Sequence, residues 1–206
     1  MESSISKTEV FIINRYAASE LAGSILLGKM ARKIANSDPS LLTNLTRHCM
    51  EEARHSFVWY ELIKKLKIPT LAVHDDEGGA YFSHANEPKD IIEFLAFTHV
   101  FERRVPFHFA MHIKWSKNEM VKEVLGKLIP EEEPHLAWIK DYLKKAISNG
   151  NINVKISLEK FAKLEKELYS RDLDKLERLG EEGKEFVNII KESIDKFERE
   201  PRWWQE

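Results

Sequence analysis

Two copies of one short motif place a carboxylate and an imidazole three residues apart, at Glu52-Ala53-Arg54-His55 and Glu132-Glu133-Pro134-His135. Residues three apart lie on one face of an α-helix, so each copy directs both side chains the same way. Carboxylate oxygens and imidazole nitrogens together suit iron or manganese better than zinc or magnesium. A single copy is common by chance in helical proteins, but two copies indicate a metal site.

Two further glutamates, Glu20 and Glu102, lie on the apolar stripes of neighbouring predicted helices. Counted along the chain from the intervening turns, each comes level with one motif to within about one turn, at a rise of ~1.5 Å per residue. Buried carboxylates without cations would each cost several kcal/mol, whereas two divalent cations balance four of them. The predicted metal ligands are therefore Glu20, Glu52, His55, Glu102, Glu132 and His135.

The elements that must position these residues are predicted from apolar residues spaced three and four apart. Four long helices are expected, over about Glu9–Ala35, Pro39 to before Pro69, Pro88–Ser116, and from after Asn118 to about Ser148. Asp38 is a good N-cap before Pro39. About twenty residues around Asp75–Gly79 separate the second and third helices, which suits a crossover along a bundle.

Residues 156–198 read as one or two charged, amphipathic helices interrupted near Gly180 and Gly183. The predicted architecture is all-α: a four-helix bundle over residues 1–148, with one long crossover connection, and extra C-terminal helices over 149–206 packed on it. The Trp203-Trp204 pair is expected to anchor the tail. Pro130 and Pro134 fall inside the fourth helix, where a proline costs ~3 kcal/mol. They predict a kink or a widened turn there, or else a different register.

The ligand pattern resembles that of the ferritin-like di-iron carboxylate proteins over residues 9–148. The resemblance implies that Glu20 with His55 holds one metal and that Glu102 with His135 holds the other. Glu52 and Glu132 would then bridge the two ions. Four residues are candidates for the surroundings of the ligands: Glu51, Glu131, His99 and Thr98. The first two resemble carboxylates that orient imidazoles in some members, with solvent-facing helix charge as the equal alternative.

The same resemblance favours oxygenase or oxidase members over storage ferritins. It implies two metal ions, iron first and manganese as the alternative, with O2 as co-substrate and an external electron donor. Small residues near Glu20, together with a phenylalanine-rich third helix, suggest a small, mainly apolar organic substrate; close helix packing explains them equally well. The small residues are Ala17, Ala18, Gly23 and Ser24. The chain is similar in length and ligand order to cyanobacterial-type aldehyde deformylating oxygenases; tRNA-hydroxylating and N-oxygenating members are further alternatives.

The main alternative is a ferroxidase or other iron-handling protein, against which stand the nearly sixty residues after the bundle. A rubrerythrin-like peroxide reductase is disfavoured by Val105, which stands where such proteins carry an extra glutamate, and by the single Cys49. A radical-generating reductase subunit is disfavoured by Trp59, which stands where its tyrosine would be. A purely structural bundle is the last alternative.

Composition sets the remaining expectations. Lys plus Arg total 32 against 34 Asp plus Glu, so nothing in the net charge of −2 calls for a nucleic acid or anionic membrane partner. One cysteine excludes a disulfide framework within the chain. No signal peptide and no unbroken apolar run of ~18 residues are recognised. We therefore expect a cytoplasmic protein, and a homodimer.

Overall fold

The computed structural model describes residues 5–36, 38–71 and 88–205. These residues form α-helices and no strand, so the predicted all-α class is confirmed. The helices are α1 (Lys7–Lys33), α2 (Pro39–Leu66), α3 (Ile91–Glu102), α4 (Arg104–Trp115), α5 (Glu119–Ser148), α6 (Asn153–Glu177) and α7 (Glu181–Glu198). The predicted crossover around Asp75–Gly79 lies outside the described residues, as does Ser37.

Most helix ends have a local cause in the sequence. As predicted, α2 begins behind Asp38, whose side chain accepts a hydrogen bond from the Ser40 amide at 3.0 Å, with Pro39 at the first helical position. Asn118 caps α5 in the same way by accepting from the Met120 amide at 3.0 Å. These side chains satisfy amide donors that the first helical turn leaves without an intrahelical acceptor.

The single helix predicted over Pro88–Ser116 is divided at Arg103, one turn residue between α3 and α4 whose backbone angles stay helical, at φ −54° and ψ −29°. Pro106 supplies the physical reason. It has no amide hydrogen to donate to the carbonyl of Glu102, four residues earlier, and its ring crowds that carbonyl. The sequence prediction overlooked this proline, and the break falls immediately after a predicted metal ligand.

The two prolines do not end α5, which runs from Glu119 to Ser148 through both of them; the kink stays a prediction. Pro130 and Pro134 are exposed, whereas Glu132 and His135 are buried. The predicted register of the second motif is therefore correct, and the prolines lie on the solvent side of the helix.

The chain divides into two compact units, residues 1–87 and 88–206. In the first unit, α1 packs along α2 through small side chains. The Ser56 hydroxyl donates to the carbonyl of Ala17 at 2.8 Å, and the Ser24 hydroxyl donates to the carbonyl of Cys49 at 2.9 Å. Such contacts require close approach of the two helix backbones. The unit also buries large apolar side chains, namely Ile13, Leu27, Leu45 and Trp59.

In the second unit, α3 packs against α5 and α6, and α4 packs against α5 and α7. Its fully buried side chains come from all of these helices and include Leu95, Leu125, Phe161 and Phe186. The C-terminal extension, residues 149–206, thus shares one compact unit with α3 and α4. The predicted domain boundary after residue 148 stays a prediction, while the division between compact units lies after residue 87.

Among the described residues, α1 is long and apolar enough, by length and composition alone, to cross a membrane. The core helix of a globular protein passes the same test, and 56% of the apolar window of α1 is buried. Arg15 and Glu20 interrupt that window, which is why the sequence shows no unbroken apolar run. The helix is weak support for a membrane location, and the cytoplasmic location stays a prediction.

Candidate metal centre

All six predicted ligands have buried side chains, although each belongs to a polar residue type. The exposed fraction of the four glutamates is at most 9%, and that of both histidines is at most 1%. Charged side chains are almost never buried to this extent unless they are paired or bind a metal. Their burial is the condition that the predicted role requires, while the role itself stays a prediction.

In the first unit, α1 and α2 bring two carboxylates and two imidazoles together. The Nδ1 atom of His55 lies 3.8 Å from Oε2 of Glu20, and the Nε2 atom of His48 lies 3.3 Å from Oε1 of Glu52. Each of these two pairs offers ligand atoms that lie within 4.8 Å of one another, close enough to share one metal ion. His48 was not among the predicted ligands. Its position four residues before Glu52 was the signal for this contact.

Gly23 makes room for the carboxylate of Glu52. A methyl group built on Gly23 would lie 3.1 Å from Oε2 of Glu52, closer than nearly all real contacts of that kind. Gly23 also lies one helical turn after Glu20. A glycine at this position therefore lets α2 place a carboxylate directly against α1, beside the other glutamate of the unit.

In the second unit, α5 carries Glu132 and His135 on its buried face, with Oε2 of Glu132 3.5 Å from Nδ1 of His135. Glu102 is buried at the last residue of α3, the helix that packs against α5. The carboxylate–imidazole pair follows from the three-residue spacing within one helix. Glu102, in contrast, is at a helix end whose geometry depends on the break at Arg103.

His99 lies one helical turn before Glu102, and its Nε2 atom accepts a hydrogen bond from Nε1 of Trp203 at 2.8 Å. Burial lowers the pKa of His99 to about 4, with the positive charges of Arg103 and Lys140 acting in the same direction. The imidazole is therefore neutral at pH 7. Because an indole N–H can only donate, the proton of this neutral ring is on Nδ1.

The other predicted surrounding residues differ in burial. Thr98 is fully buried, and its hydroxyl has no hydrogen-bond partner among the residues that the structure describes. Glu51 and Glu131 are half-buried. The role predicted for these two glutamates, orienting the imidazoles, stays a prediction.

The small residues around Glu20 serve the packing of α1 on α2. The carbonyl of Ala17 and the hydroxyl of Ser24 form hydrogen bonds with α2. The carboxylate of Glu52 occupies the space that a side chain at Gly23 would take. Of the aromatic rings that the sequence suggested as pocket walls, Phe97 packs on Phe161 within the second unit, with ring centroids 5.3 Å apart. Within each unit, these contacts favour close packing, the alternative that the sequence left open.

The donor set fits a pair of iron or manganese ions, because carboxylate oxygens and neutral imidazole nitrogens are the ligands such ions prefer. A zinc site of the structural kind would use cysteine, and Cys49 instead donates its thiol to the carbonyl of Ser24 at 3.2 Å. Trp59 packs on Tyr16 in the core, with ring centroids 5.0 Å apart.

No protein-family model matches the chain, and neither a curated protein nor a solved structure matches it. The ferritin-like resemblance consequently depends on the ligand pattern in the sequence. The functional assignment depends on that pattern and on the burial and geometry of the residues just described.

Proposed function

We propose that the protein is a non-haem di-iron oxidoreductase built on a ferritin-like four-helix bundle. It would activate O2 to oxidise or oxygenate a small, mainly apolar organic substrate. The observation that carries the proposal is the burial of all six predicted ligands, with glutamate–imidazole contacts on the helices that bear the two motifs. A helical domain that used these residues only on its surface would expose them.

The electrostatic argument concerns the four glutamates. A buried carboxylate costs several kcal/mol unless it is paired or bound to a cation. The contacts of Glu20, Glu52 and Glu132 include imidazoles, which are weak bases and the commonest metal ligands in proteins. Two divalent cations would balance the four negative charges, and the imidazole nitrogens would complete their coordination.

The roles follow the resemblance. Glu20 with His55 would hold one ion, and Glu102 with His135 the other. That Glu52 and Glu132 bridge the ions in a single centre is the part of the proposal that rests on the resemblance alone. When bound, two ferrous ions would supply electrons for the reduction of O2, and an external donor would restore them. Manganese in place of one iron stays an alternative.

The other residues of the chain would position the ligands and keep water away from them. Trp59 is fully buried one turn beyond His55. His48 contacts the carboxylate of Glu52, and Gly23 leaves the space that this carboxylate occupies. The substrate class, the electron donor and a homodimeric assembly stay predictions.

A ferroxidase or other iron-handling protein is the second candidate, and one observation favours it. The small residues near Glu20 take part in helix packing, and an iron-oxidising site needs no cavity for an organic substrate. A particle of several hundred kilodaltons in size-exclusion chromatography would support this candidate, whereas a monomer or dimer would support the oxygenase.

The proposal is tested by anaerobic titration with Fe²⁺. We expect the wild-type protein to bind two equivalents tightly and Glu52→Ala or His55→Ala to lose tight binding of the second. Glu61→Ala is the matched control, since Glu61 is an exposed glutamate on the same helix as both targets. Full loading of both ligand variants would contradict the site.

Oxygen activation needs a second measurement. Mixing the ferrous protein with O2 should give a transient visible absorption that is absent in His55→Ala. A spectrum that never changes in the wild-type protein would contradict O2 activation while leaving metal binding intact.

A further inference from the structure

The position of Glu102 is not determined by its own helix alone. Glu102 is the last residue of α3, and its carbonyl lacks the usual helical amide donor because residue 106, four residues later, is proline. The orientation of its carboxylate therefore depends on what holds the chain on both sides of the break. The C-terminal extension contacts the chain at three residues next to Glu102: His99, Arg103 and Arg104.

Arg104 is the strongest of these contacts. Its guanidinium bonds the carboxylate of Glu165 on α6 in bidentate fashion and donates from Nη2 to Oε1 of Glu198 on α7 at 2.7 Å. It also lies 4.0 Å above the ring of Tyr169. Bidentate guanidinium–carboxylate pairs restrict orientation as well as distance. The start of α4 is consequently held by two helices of the extension.

Arg103, the turn residue itself, is held by the end of α7. Its Nη2 atom donates to the carbonyl of Phe197 at 3.3 Å, and its guanidinium lies 4.6 Å from the centre of the Phe197 ring. It also pairs with Glu200 at 3.8 Å. The turn that follows Glu102 is thus held through both the backbone and the side chains of the extension.

On the other side of Glu102, the tail reaches α3. Trp203 donates to His99 one turn before Glu102, and the neighbouring Trp204 donates from Nε1 to Oε1 of Glu159 on α6 at 2.9 Å. The two indoles thereby connect the end of α3 to the start of the extension. The prediction that this pair anchors the tail is confirmed for its contacts with α3 and α6.

We propose that the C-terminal extension positions Glu102 for metal binding by holding the helix break from both sides. Glu165, Glu198 and Trp203 are positioning residues in this proposal, since they act through Arg104 and His99. The proposal rests on the proposed function, in which Glu102 with His135 holds one of two metal ions. A ligand site requires its side chains within about 0.5 Å of the productive geometry, and partners of this kind supply that precision.

The test is a titration of the full-length protein with Co²⁺, whose visible spectrum reports coordination. The first variant is Glu165→Gln, which weakens the ion pair with Arg104. The second is Trp203→Phe, which keeps an aromatic ring but removes the N–H donor. Glu167→Gln is the matched control, because Glu167 lies on the same helix in an exposed ion pair with Arg171. His135→Ala removes a ligand of the ion that Glu102 would hold, so it identifies which of the two Co²⁺ equivalents binds there.

We expect each positioning variant to weaken one Co²⁺ equivalent by about 10-fold to 100-fold, the range found for residues that support metal ligands. The weakened equivalent should be the one that His135→Ala abolishes, and the other should keep its wild-type affinity. The control variant should bind both equivalents as the wild-type protein does. Trp203→Phe is the milder change and decides the question if Glu165→Gln does not fold.

Three results would overturn the inference. Wild-type affinities for both equivalents in the positioning variants would reject it and leave the proposed function standing. Equal weakening of both equivalents, together with a lower melting temperature, would show a general structural role. A wild-type protein that binds no Co²⁺ and no Fe²⁺ would reject the proposed function, and this inference with it.

Discussion

Two groups of carboxylates at buried or half-buried positions differ in the contacts that the structure gives them. Glu165 and Glu198 bond to the guanidinium of Arg104, a permanent cation. The carboxylates of Glu20 and Glu52 have imidazoles among their neighbours, at 3.8 and 3.3 Å. A guanidinium carries its charge at every physiological pH and cannot bind a metal, whereas a neutral imidazole can. The contrast is between a group held by a guanidinium and a group whose neighbours include possible metal ligands.

The pKa shifts of Arg104, Glu165 and Glu198 show that these three groups affect one another's ionisation. Burial raises the pKa of Glu165 despite the opposing effect of Arg104. For Glu198, burial acts to raise the pKa, but the hydrogen bond and the charge of Arg104 lower it overall. Burial also acts to lower the pKa of Arg104, yet its bonds to Glu165 and Glu198 raise it. The bonds to Arg104 thus favour the charged forms of all three groups, while burial opposes them.

Removing the guanidinium of Arg104 should have the largest effect on the free energy of unfolding. Arg104→Met leaves two carboxylates without their main partner, so we expect a loss of about 3–5 kcal/mol in the free energy of unfolding at pH 7. Urea denaturation measures it. Arg171→Met, which breaks an exposed ion pair with Glu167, is the control and should cost at most about 1 kcal/mol. Equal losses in the two variants would remove the distinction between the groups.

The counterpart in the other group is Glu52→Gln in the metal-free protein. Because the substitution removes a buried charge and keeps the shape, we expect the metal-free protein to lose no stability. The same variant should lose the stabilisation that metal confers on the wild-type protein, about 2.7 kcal/mol at 100 times the Kd. A loss as large as that of Arg104→Met would contradict the comparison.

His99 allows a test by pH. Its pKa of about 4 lies below the usual 6.5, so between these values the unfolded chain binds more protons than the folded one. Stability is therefore fully present above about pH 6.5 and falls as the pH is lowered towards 4, by about 3 kcal/mol in total. In His99→Gln this fall in the free energy of unfolding with decreasing pH should be absent. Urea unfolding of both proteins across this range measures the difference, and identical slopes would contradict it.

The last prediction concerns the space beside Gly23. A methyl group at Gly23 would meet the Glu52 carboxylate at 3.1 Å, so Gly23→Ala should displace that carboxylate and cost about 1–3 kcal/mol. Gly126→Ala is the matched control, since a methyl group there meets nothing within 4 Å. That control should gain about 0.5–1 kcal/mol from helix propensity. Thermal unfolding compares the two, and metal titration of Gly23→Ala should show weaker binding.

Much of the architecture could be predicted because it depends on short stretches of sequence. The three-and-four spacing of apolar residues predicted α1, α2 and α5, and the Asp38-Pro39 cap predicted where α2 begins. The same spacing predicted the burial of Glu132 and His135 despite two prolines in their helix. The interruption at Arg103 also has a local cause, which is Pro106. The sequence prediction missed it because the apolar stripe continues past this proline.

The sequence by itself determined which glutamates and histidines face inward, because helical periodicity acts within a few residues. It did not determine what they contact. Glu132 and Glu165 both lie on buried helix faces, and their spacing alone does not distinguish a metal-ligand candidate from an ion-pair partner. Arg104 reaches Glu165 across 61 residues and Glu198 across 94, and Trp203 reaches His99 across 104. Only tertiary packing brings such distant residues together, because the pairing depends on how whole helices dock.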